Sequence, residues 1–357
     1  MNLRNIKPVI LYEGKYSLKD ITRLKKENLV FKTVDIYERQ LRELFEVNNP
    51  SLLKNEKFVE EQSRFLKTRR GNDINLCGNW VYFPWNGNLI HTINERDYFL
   101  LRTNRNRNLI TDKEQQILYG FNTAVVGLSV GSNIAVNFAY QGIGKTMKLA
   151  EHDKLETSNL NRVRASISDI GEGKAGITAK QIYEINPYNT LHIYPKGLNK
   201  KNLSEFFSTD PVPDIIFEIT DDFEMKILLR LEAKKKGIPV VMLANLGDSV
   251  LADIERYDLN KNIPLFNGVI GDLPDKILKD PKADANSYAV KIVGTENIPQ
   301  RAIESVKEIG KTLIGRPQLS GTLSLSSSIA CYIARNIALG NKKLSGRKLL
   351  SLDKIFI

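Results

Sequence analysis

The stretch that decides the fold runs from Thr123 to Arg162 and reads TAVVGLSVGSNIAVNFAYQGIGKTMKLAEHDKLETSNLNR. Its apolar start, residues 123–126, predicts a short buried strand, and the GLSVGS turn after it allows a helix to begin over about residues 133–140. Glycines end that helix, and a second strand at 147–150 stops at an acid. The stretch therefore predicts a strand–turn–helix–strand unit of an α/β fold.

The turn is a candidate phosphate site. Gly127, Ser129, Gly131 and Ser132 lie where free backbone N–H groups and the positive end of a helix dipole can face an anion. Two serines interrupt the GxGxxG pattern, although they are small enough for a ligand to approach the backbone. Glu151 follows at the spacing at which dinucleotide folds place an acid on the ribose hydroxyls. An ordinary βαβ unit that binds nothing is the alternative.

Further motifs extend the pattern beyond the turn. SNLNR at 158–162 is followed by DIGEGKA at 169–175, Asn186-Pro187, and a strand with a Thr-Asp pair in IIFEITDDF at 215–223. In this order they resemble the ThiF/MoeB/HesA family, bacterial relatives of the ubiquitin-activating enzymes, over about residues 105–339. The resemblance implies an α/β fold with a Rossmann-like, doubly wound, mostly parallel sheet.

The resemblance also implies a nucleotide site. Arg162 and Lys174 would supply cations to the phosphates of ATP, and Asn159 would donate a hydrogen bond to a phosphate oxygen. Asp221 would hold Mg²⁺, for which a carboxylate oxygen is a suitable ligand, and Asp153 would support Glu151 or a metal. Each residue has a simpler alternative: the cations as surface ion-pair members, and Asp221 as the cap of the next helix.

An Asn-Arg pair before the nucleotide domain supplies an arginine to the phosphates in the family, often across a homodimer interface. Arg105 and Arg107 fit equally well, because both follow an asparagine in NRNRN. Surface residues of a linker are the alternative. We expect a homodimer.

The segment before this point carries no motif tied to chemistry. Residues 1–110 show helical periodicity and an aromatic hairpin around Asn86-Gly87, which predicts a small α+β domain. We expect its aromatics to pack the domain onto the sheet; the alternative is that they help to bind a substrate. Residues 111–357 are expected to form the ThiF-like ATP-binding domain, with a long loop at 258–286 and helices at 299–314 and 323–339.

Composition limits location and partners. No apolar run is long enough for a membrane span and the N-terminus lacks a signal-peptide core, so we expect a cytoplasmic protein with no membrane partner. The net charge of +11 suits an acidic partner, although no pattern of alternating aromatic and basic residues favours RNA. Two cysteines, Cys77 and Cys331, cannot form the paired CxxC motifs of a structural zinc site, so none is expected.

These observations favour ATP-dependent adenylation of a carboxylate, at the C-terminus or a side chain of a small ubiquitin-like protein or peptide, with release of pyrophosphate. Three alternatives remain. The turn and Glu151 alone would suit an NAD-dependent oxidoreductase. The altered turn would suit a nucleotide-binding scaffold with reduced catalysis. The basic charge would suit a tRNA-modifying relative.

Overall fold

The structure, a computed structural model, describes residues 6–280 and 285–356. Contacts between Cα atoms divide the chain into two units. The first contains the residues up to Gln115 together with Tyr183–Tyr188, and the second contains Gln116–Ile182 and the residues from Asn189 onward. The sequence-based division at residue 110 stays a prediction, because compactness alone does not show that either unit folds by itself.

The first unit has an α+β architecture. Its strands are β1 (Val9–Leu11), β2 (Lys32–Asp35), β3 (Asn79–Phe83) and β4 (Asn88–Thr92), and its helices are α1 (Leu18–Glu27), α2 (Tyr37–Asn48), α3 (Phe58–Arg69) and α4 (Glu95–Thr103). The sheet order is β1-β3-β4-β2. Gly87, at φ +67°, completes the expected hairpin turn between β3 and β4. Trp85 in that turn donates from Nε1 to Glu184 Oε1 over 2.6 Å, and every residue of β3 is buried. The aromatics of β3 are therefore buried, whereas Trp85 in the turn is only half-buried.

The second unit contains the larger sheet. After α5 (Asp112–Gly120), its strands are β5 (Thr123–Val126), β6 (Thr146–Ala150), β7 (Thr190–Tyr194), β8 (Ile215–Glu218), β9 (Val240–Leu246), β10 (Ser249–Glu255) and β11 (Gly346–Ser351). Its helices are α6 (Gly131–Gln141), α7 (Lys174–Ile185), α8 (Leu203–Ser208), α9 (Phe223–Lys236), α10 (Leu273–Lys279), α11 (Ala285–Val293), α12 (Gln300–Glu308), α13 (Ser320–Ala338) and α14 (Asp353–Phe356).

The strand order, β11-β10-β9-β8-β5-β6-β7, confirms the doubly wound sheet. The run from β9 to β7 is parallel, whereas β10 and β11 pair antiparallel. From β5 the chain first adds β6 and β7 on one side and then β8 and β9 on the other. Ligands of such sheets bind where this reversal opens a crevice at the carboxyl ends of the strands. That crevice lies between the ends of β5 and β8.

The core of the sheet follows from its sequence. All four residues of β5 and all four of β8 are buried, as expected of strands covered on both faces by helices. Gly142 adopts the left-handed conformation at the end of α6, where a glycine was expected to stop the helix.

In the described part of the chain, no helix is both long and apolar enough to span a bilayer.

The C-terminal third differs from the sequence-based expectation. The region 258–286, expected to be a loop, contains α10, and only its residues 281–284 lie outside the described residues. Helix α12 is shorter than the expected 299–314, and β11 was missed altogether. Apolar and polar residues alternate only weakly in this short strand, GRKLLS. The strand pairs with β10, which is distant in sequence, so no local pattern indicates it.

Candidate functional site at the ends of β5, β6 and β8

The turn after β5 packs so closely against the end of β8 and against β5 itself that only glycine fits at two positions. Gly127 has φ +89°, and a Cβ there would lie 2.6 Å from the backbone of Ile219. A Cβ on Gly131 would lie 2.6 Å from Val125 Cγ1. The turn therefore retains the two glycines that its geometry requires, and the two serines occupy positions where a side chain has room.

Ser129 has a partner of its own. The Lys174 Nζ donates to Ser129 Oγ over 2.9 Å and to Asp153 Oδ2 over 3.1 Å. Lys174 is 5% exposed, although its helix begins at this residue. Ser132, in the first turn of α6, donates to the Ser129 carbonyl over 3.3 Å. The structure thus brings the predicted turn, lysine and Asp153 together, and Ser129 is a hydrogen-bond partner of the lysine.

Glu151 is buried and accepts hydrogen bonds from backbone N–H groups on both sides. Its Oε2 accepts from Leu128 N at 2.7 Å, and its Oε1 accepts from His152 N at 2.8 Å and Asp153 N at 3.0 Å. It therefore ties the Gly127–Ser132 turn to the loop after β6. A carboxylate has about four acceptor positions, so a ribose hydroxyl can still donate to it.

The SNLNR segment forms a tight turn that orients its arginine. The Asn159 Oδ1 accepts from Glu156 N at 3.1 Å, and the Asn159 carbonyl accepts from Arg162 N at 3.0 Å. The Arg162 guanidinium donates to Ser158 O and to Asn161 Oδ1, but its buried Nε has no partner among the described residues. Burial lowers the pKa of Arg162, while the charge of Asp221 acts in the opposite direction. The charges of Arg162 and Asp221 therefore attract each other.

Asp221 is exposed just beyond β8, and it does not cap the next helix. The cap of α9 is Asp222, whose carboxylate accepts from Met225 N over 3.0 Å. Within residues 6–280 and 285–356, no group donates a hydrogen bond to the Asp221 carboxylate. The capping alternative for Asp221 is thus wrong, and its oxygens are available to a ligand.

Beneath Asp221 lies a buried charge network that the sequence analysis missed. Glu218, fully buried at the end of β8, accepts from Lys226 Nζ at 3.0 and 3.1 Å and from Arg230 Nη1 at 2.6 Å. Arg230 also donates from Nε to Glu255 Oε2 over 2.7 Å. Burial alone would raise the pKa of Glu218, but the charges of Lys226 and Arg230 outweigh it and hold that pKa below its ordinary value. Glu218 also accepts from Thr220 N at 2.9 Å, so the network anchors the residue before Asp221.

Two groups could hold a metal. Glu151, His152 and Asp153 offer ligand atoms within 4.8 Å of one another, the one such set in the described ranges. Two members are already engaged, Glu151 by backbone N–H groups and Asp153 by Lys174. Asp221 suits magnesium better, because a carboxylate without other partners can join substrate phosphates around that ion.

Of the remaining candidates, two arginines belong to the first unit and two cysteines are unreactive. Arg105 and Arg107 belong to the first unit, where Arg107 pairs with Asp112 at 2.7 Å and Arg105 is exposed with no ion pair among the described residues. Burial raises the pKa of Cys331 to about 12 and also raises that of Cys77. Neither cysteine has the lowered pKa of a nucleophilic thiolate.

Comparison with known proteins identifies a family domain in the chain. The model of the ThiF family matches residues 103–248. The chain is 34% identical over 304 residues to an uncharacterised protein of Mycobacterium tuberculosis, covering 84% of this chain and 42% of that protein, so it spans less than half of that relative. It is 29% identical over 218 residues to the sulfur carrier protein adenylyltransferase of Thermus thermophilus, covering 59% of this chain and 79% of that protein.

A solved structure shares the fold. The E. coli tRNA N6-threonylcarbamoyladenosine dehydratase, solved in complex with ATP, matches with a TM-score of 0.50 at 20% identity, over 69% of this chain and 97% of that one. The fold, the motifs and the family model agree. Residues 103–248 are therefore a domain of the ThiF family.

Proposed function

We propose that this chain adenylates a carboxylate with ATP and releases pyrophosphate. The observation that carries the proposal is a combination of three groups at the ends of β5, β6 and β8. A buried lysine donates to the turn after β5, an arginine has a buried Nε without a partner among the described residues, and the Asp221 carboxylate has no hydrogen-bond donor there. The name of the Thermus relative, a sulfur carrier protein adenylyltransferase, supports it.

The chemistry is mainly electrostatic. A carboxylate oxygen attacks the α-phosphorus while pyrophosphate leaves, so two anions must approach and charge on the leaving phosphates must be stabilised. Lys174 and Arg162 would supply fixed positive charge, with Asn159 and the N–H groups at the start of α6 as hydrogen-bond donors. Glu151 would hold the ribose.

Magnesium would bridge phosphate oxygens when it is bound, and Asp221 is the residue that would hold it. The Glu218 network fixes the backbone beside Asp221, and thereby orients this carboxylate. Arg105 or Arg107 would complete the phosphate site from a partner subunit of a homodimer. Arg105 is the better candidate, because Arg107 is paired with Asp112.

Isotope exchange between pyrophosphate and ATP tests the proposal. Labelled pyrophosphate should enter ATP only when a carboxylate substrate from a panel of peptides and small proteins is present. Asp221→Asn should abolish exchange, whereas Asp248→Asn, at an exposed position after β9, should not. ATP binding without exchange on any panel member would instead favour the scaffold alternative.

A second candidate function uses the same chemistry on RNA. The net charge of +11 favours it, since a tRNA-bound carboxylate would come with an anionic backbone. Binding of tRNA that weakens steeply with salt, together with tRNA-dependent exchange, would support this variant. The nicotinamide alternative is disfavoured by the family assignment.

A further inference from the structure

A cavity of about 220 Å³ opens beside Asp221 in the second unit. It begins at Ser129 and Asp221 and continues between β9 and helices α11 and α12. Its size is below the roughly 300–1,000 Å³ of sites that enclose whole drug-sized ligands. The cavity therefore suits one side chain and its immediate attachments better than a nucleotide.

The strand order determines which part of the reaction this cavity can serve. Glu151, the proposed ribose ligand, follows β6, on one side of β5. The cavity lies at the ends of β8 and β9, on the other side of β5. With the phosphates on the turn between them, adenosine would occupy the β6 side and the acyl group the cavity side.

Most of the cavity wall is apolar. Its walls include side chains from three elements: Met242 and Leu246 of β9, Ile292 and Val293 of α11, and Ala302 and Val306 of α12. The charged residues Asp221 and Arg316 in the lining are exposed. Lys226 also reaches the wall, but its ammonium is bound to both oxygens of Glu218. An apolar group gains free energy on entering such a site, in proportion to the apolar area it buries.

Two amide side chains in the lining each have a buried polar atom without a hydrogen-bond partner among the described residues. Asn245 accepts a hydrogen bond from Ser326 through Oδ1, while its buried Nδ2 has no partner among the described residues. Gln318 has a buried Oε1 that is also unpartnered in the described part of the chain. One donor and one acceptor complement the carbonyl and N–H of a peptide group, and pairing them removes the cost of leaving buried polar atoms unsatisfied.

We infer that the carboxylate activated here belongs to an apolar residue in peptide linkage, whose side chain fills this cavity and whose peptide group pairs with Asn245 and Gln318. The inference rests on the proposed adenylation, and it specifies the chemistry of the group beside the reacting carboxylate. A glycine-ended tail would leave the cavity empty and is disfavoured.

The test uses stable mimics of acyl-adenylates with the full-length protein. Calorimetry compares 5′-O-sulfamoyladenosine with its N-glycyl, N-leucyl and N-(acetylleucyl) derivatives. We expect the leucyl probe to bind at least about 10-fold more tightly than the glycyl probe, and the acetylleucyl probe, which adds a peptide group, to bind more tightly still. The unacylated probe serves as the reference for each variant.

Variants locate the effect. Ala302→Phe fills the cavity and should abolish the preference for leucyl over glycyl, while Lys307→Phe, on the exposed side of the same helix, should preserve it. Asn245→Asp removes the Nδ2 donor and should remove the added affinity of the acetylleucyl probe.

Each outcome has a separate meaning. Equal affinity for the leucyl and glycyl probes, or a preference that survives Ala302→Phe, overturns the inference while leaving adenylation intact. Failure of the unacylated probe to bind at any concentration tested overturns the proposed nucleotide site, and this inference with it.

Discussion

At the scale of single residues, Lys174 is the clearest case of a side chain whose surroundings indicate its task. It is buried at the start of α7, and its ammonium donates a hydrogen bond to Ser129 in the turn after β5. Desolvating an ammonium is costly unless a partner compensates. Here the compensation comes from the Ser129 hydroxyl and the half-exposed Asp153 carboxylate. A bound phosphate would add a further negative charge that stabilises the ammonium.

Lys174→Met should lower kcat/KM for pyrophosphate exchange by about 100-fold or more, because one fixed charge is lost from the transition state. Lys180→Met, in the same helix but away from the turn, is the matched control. Exchange rates measured across substrate concentrations check this. Equal rates in the two variants would exclude Lys174 from the phosphate site.

Gly131→Ala should destabilise the protein by about 1–3 kcal/mol, because the added Cβ would overlap Val125 Cγ1 in a packed core. Gly120→Ala, where nothing lies within 4 Å of the new Cβ, should leave stability unchanged or raise it slightly. Urea unfolding of both variants measures the difference. A Gly131→Ala protein as stable as the parent would contradict the close packing.

At the scale of elements, β8, α9 and β10 are joined by charges rather than by apolar packing alone. Arg230 of α9 contacts Glu218 of β8 and Glu255 of β10, all fully buried. Removing one member of such a network leaves uncompensated charge in the core. The network thus couples the strand that carries Asp221 to the rest of the sheet.

Arg230→Met should therefore destabilise the protein by about 3–5 kcal/mol. Lys235→Met, which breaks only the exposed pair with Glu232 in the same helix, should change stability little. Thermal and urea unfolding provide the comparison, and similar midpoints for both variants would rule out a structural role for the network.

The network also gives a pH dependence. The pKa of Glu218 is lowered in the folded protein, so its contribution to stability is complete above the ordinary glutamate pKa of about 4.3 and is lost as the pH falls through the lowered value. Unfolding followed from pH 6 downward, in about one-unit steps, should show this loss, and Glu218→Gln should flatten it. An identical acid profile in the variant would refute the assignment.

At the scale of the whole molecule, the proposed homodimer can be tested by mixing two inactive variants. If Arg105 acts across the interface, Arg105→Ala and Asp221→Ala should each be inactive alone. Mixing them should restore up to about a quarter of parent activity, because random mixing forms one intact site in half of the dimers. As a control, Arg107→Ala should lose less activity than Arg105→Ala. If the mixture shows no restored activity, Arg105 acts in the site of its own subunit or has no part in the site.

The sequence predicted the parts of the molecule that local patterns determine. The turn at Gly127, the helix starting at Lys174 and the strand before Asp221 all lie where the motifs indicated, because each is encoded by residues close in sequence. Nothing in the local sequence distinguishes Lys226 and Arg230 from the polar positions of an ordinary helix. Their burial depends on Glu255 and on the antiparallel pairing of β10, which no local pattern reveals.

The same reason explains the errors in the C-terminal third. Strand β11 pairs with β10 across many intervening residues, and α10 lies in a proline-containing segment that reads as loop. The distinction between Asp221 and Asp222 also required the structure, since either carboxylate could cap α9 from its position in the sequence.

The most direct test of the central claim is a crystal structure of the protein with Mg²⁺ and an ATP analogue that cannot be cleaved between its α and β phosphates. The account predicts the triphosphate on the Gly127–Ser132 turn, with Lys174 and Arg162 within hydrogen-bonding distance of its oxygens and Asp221 on the metal. A nucleotide bound elsewhere, or one whose phosphates face away from Lys174 and Asp221, would contradict it.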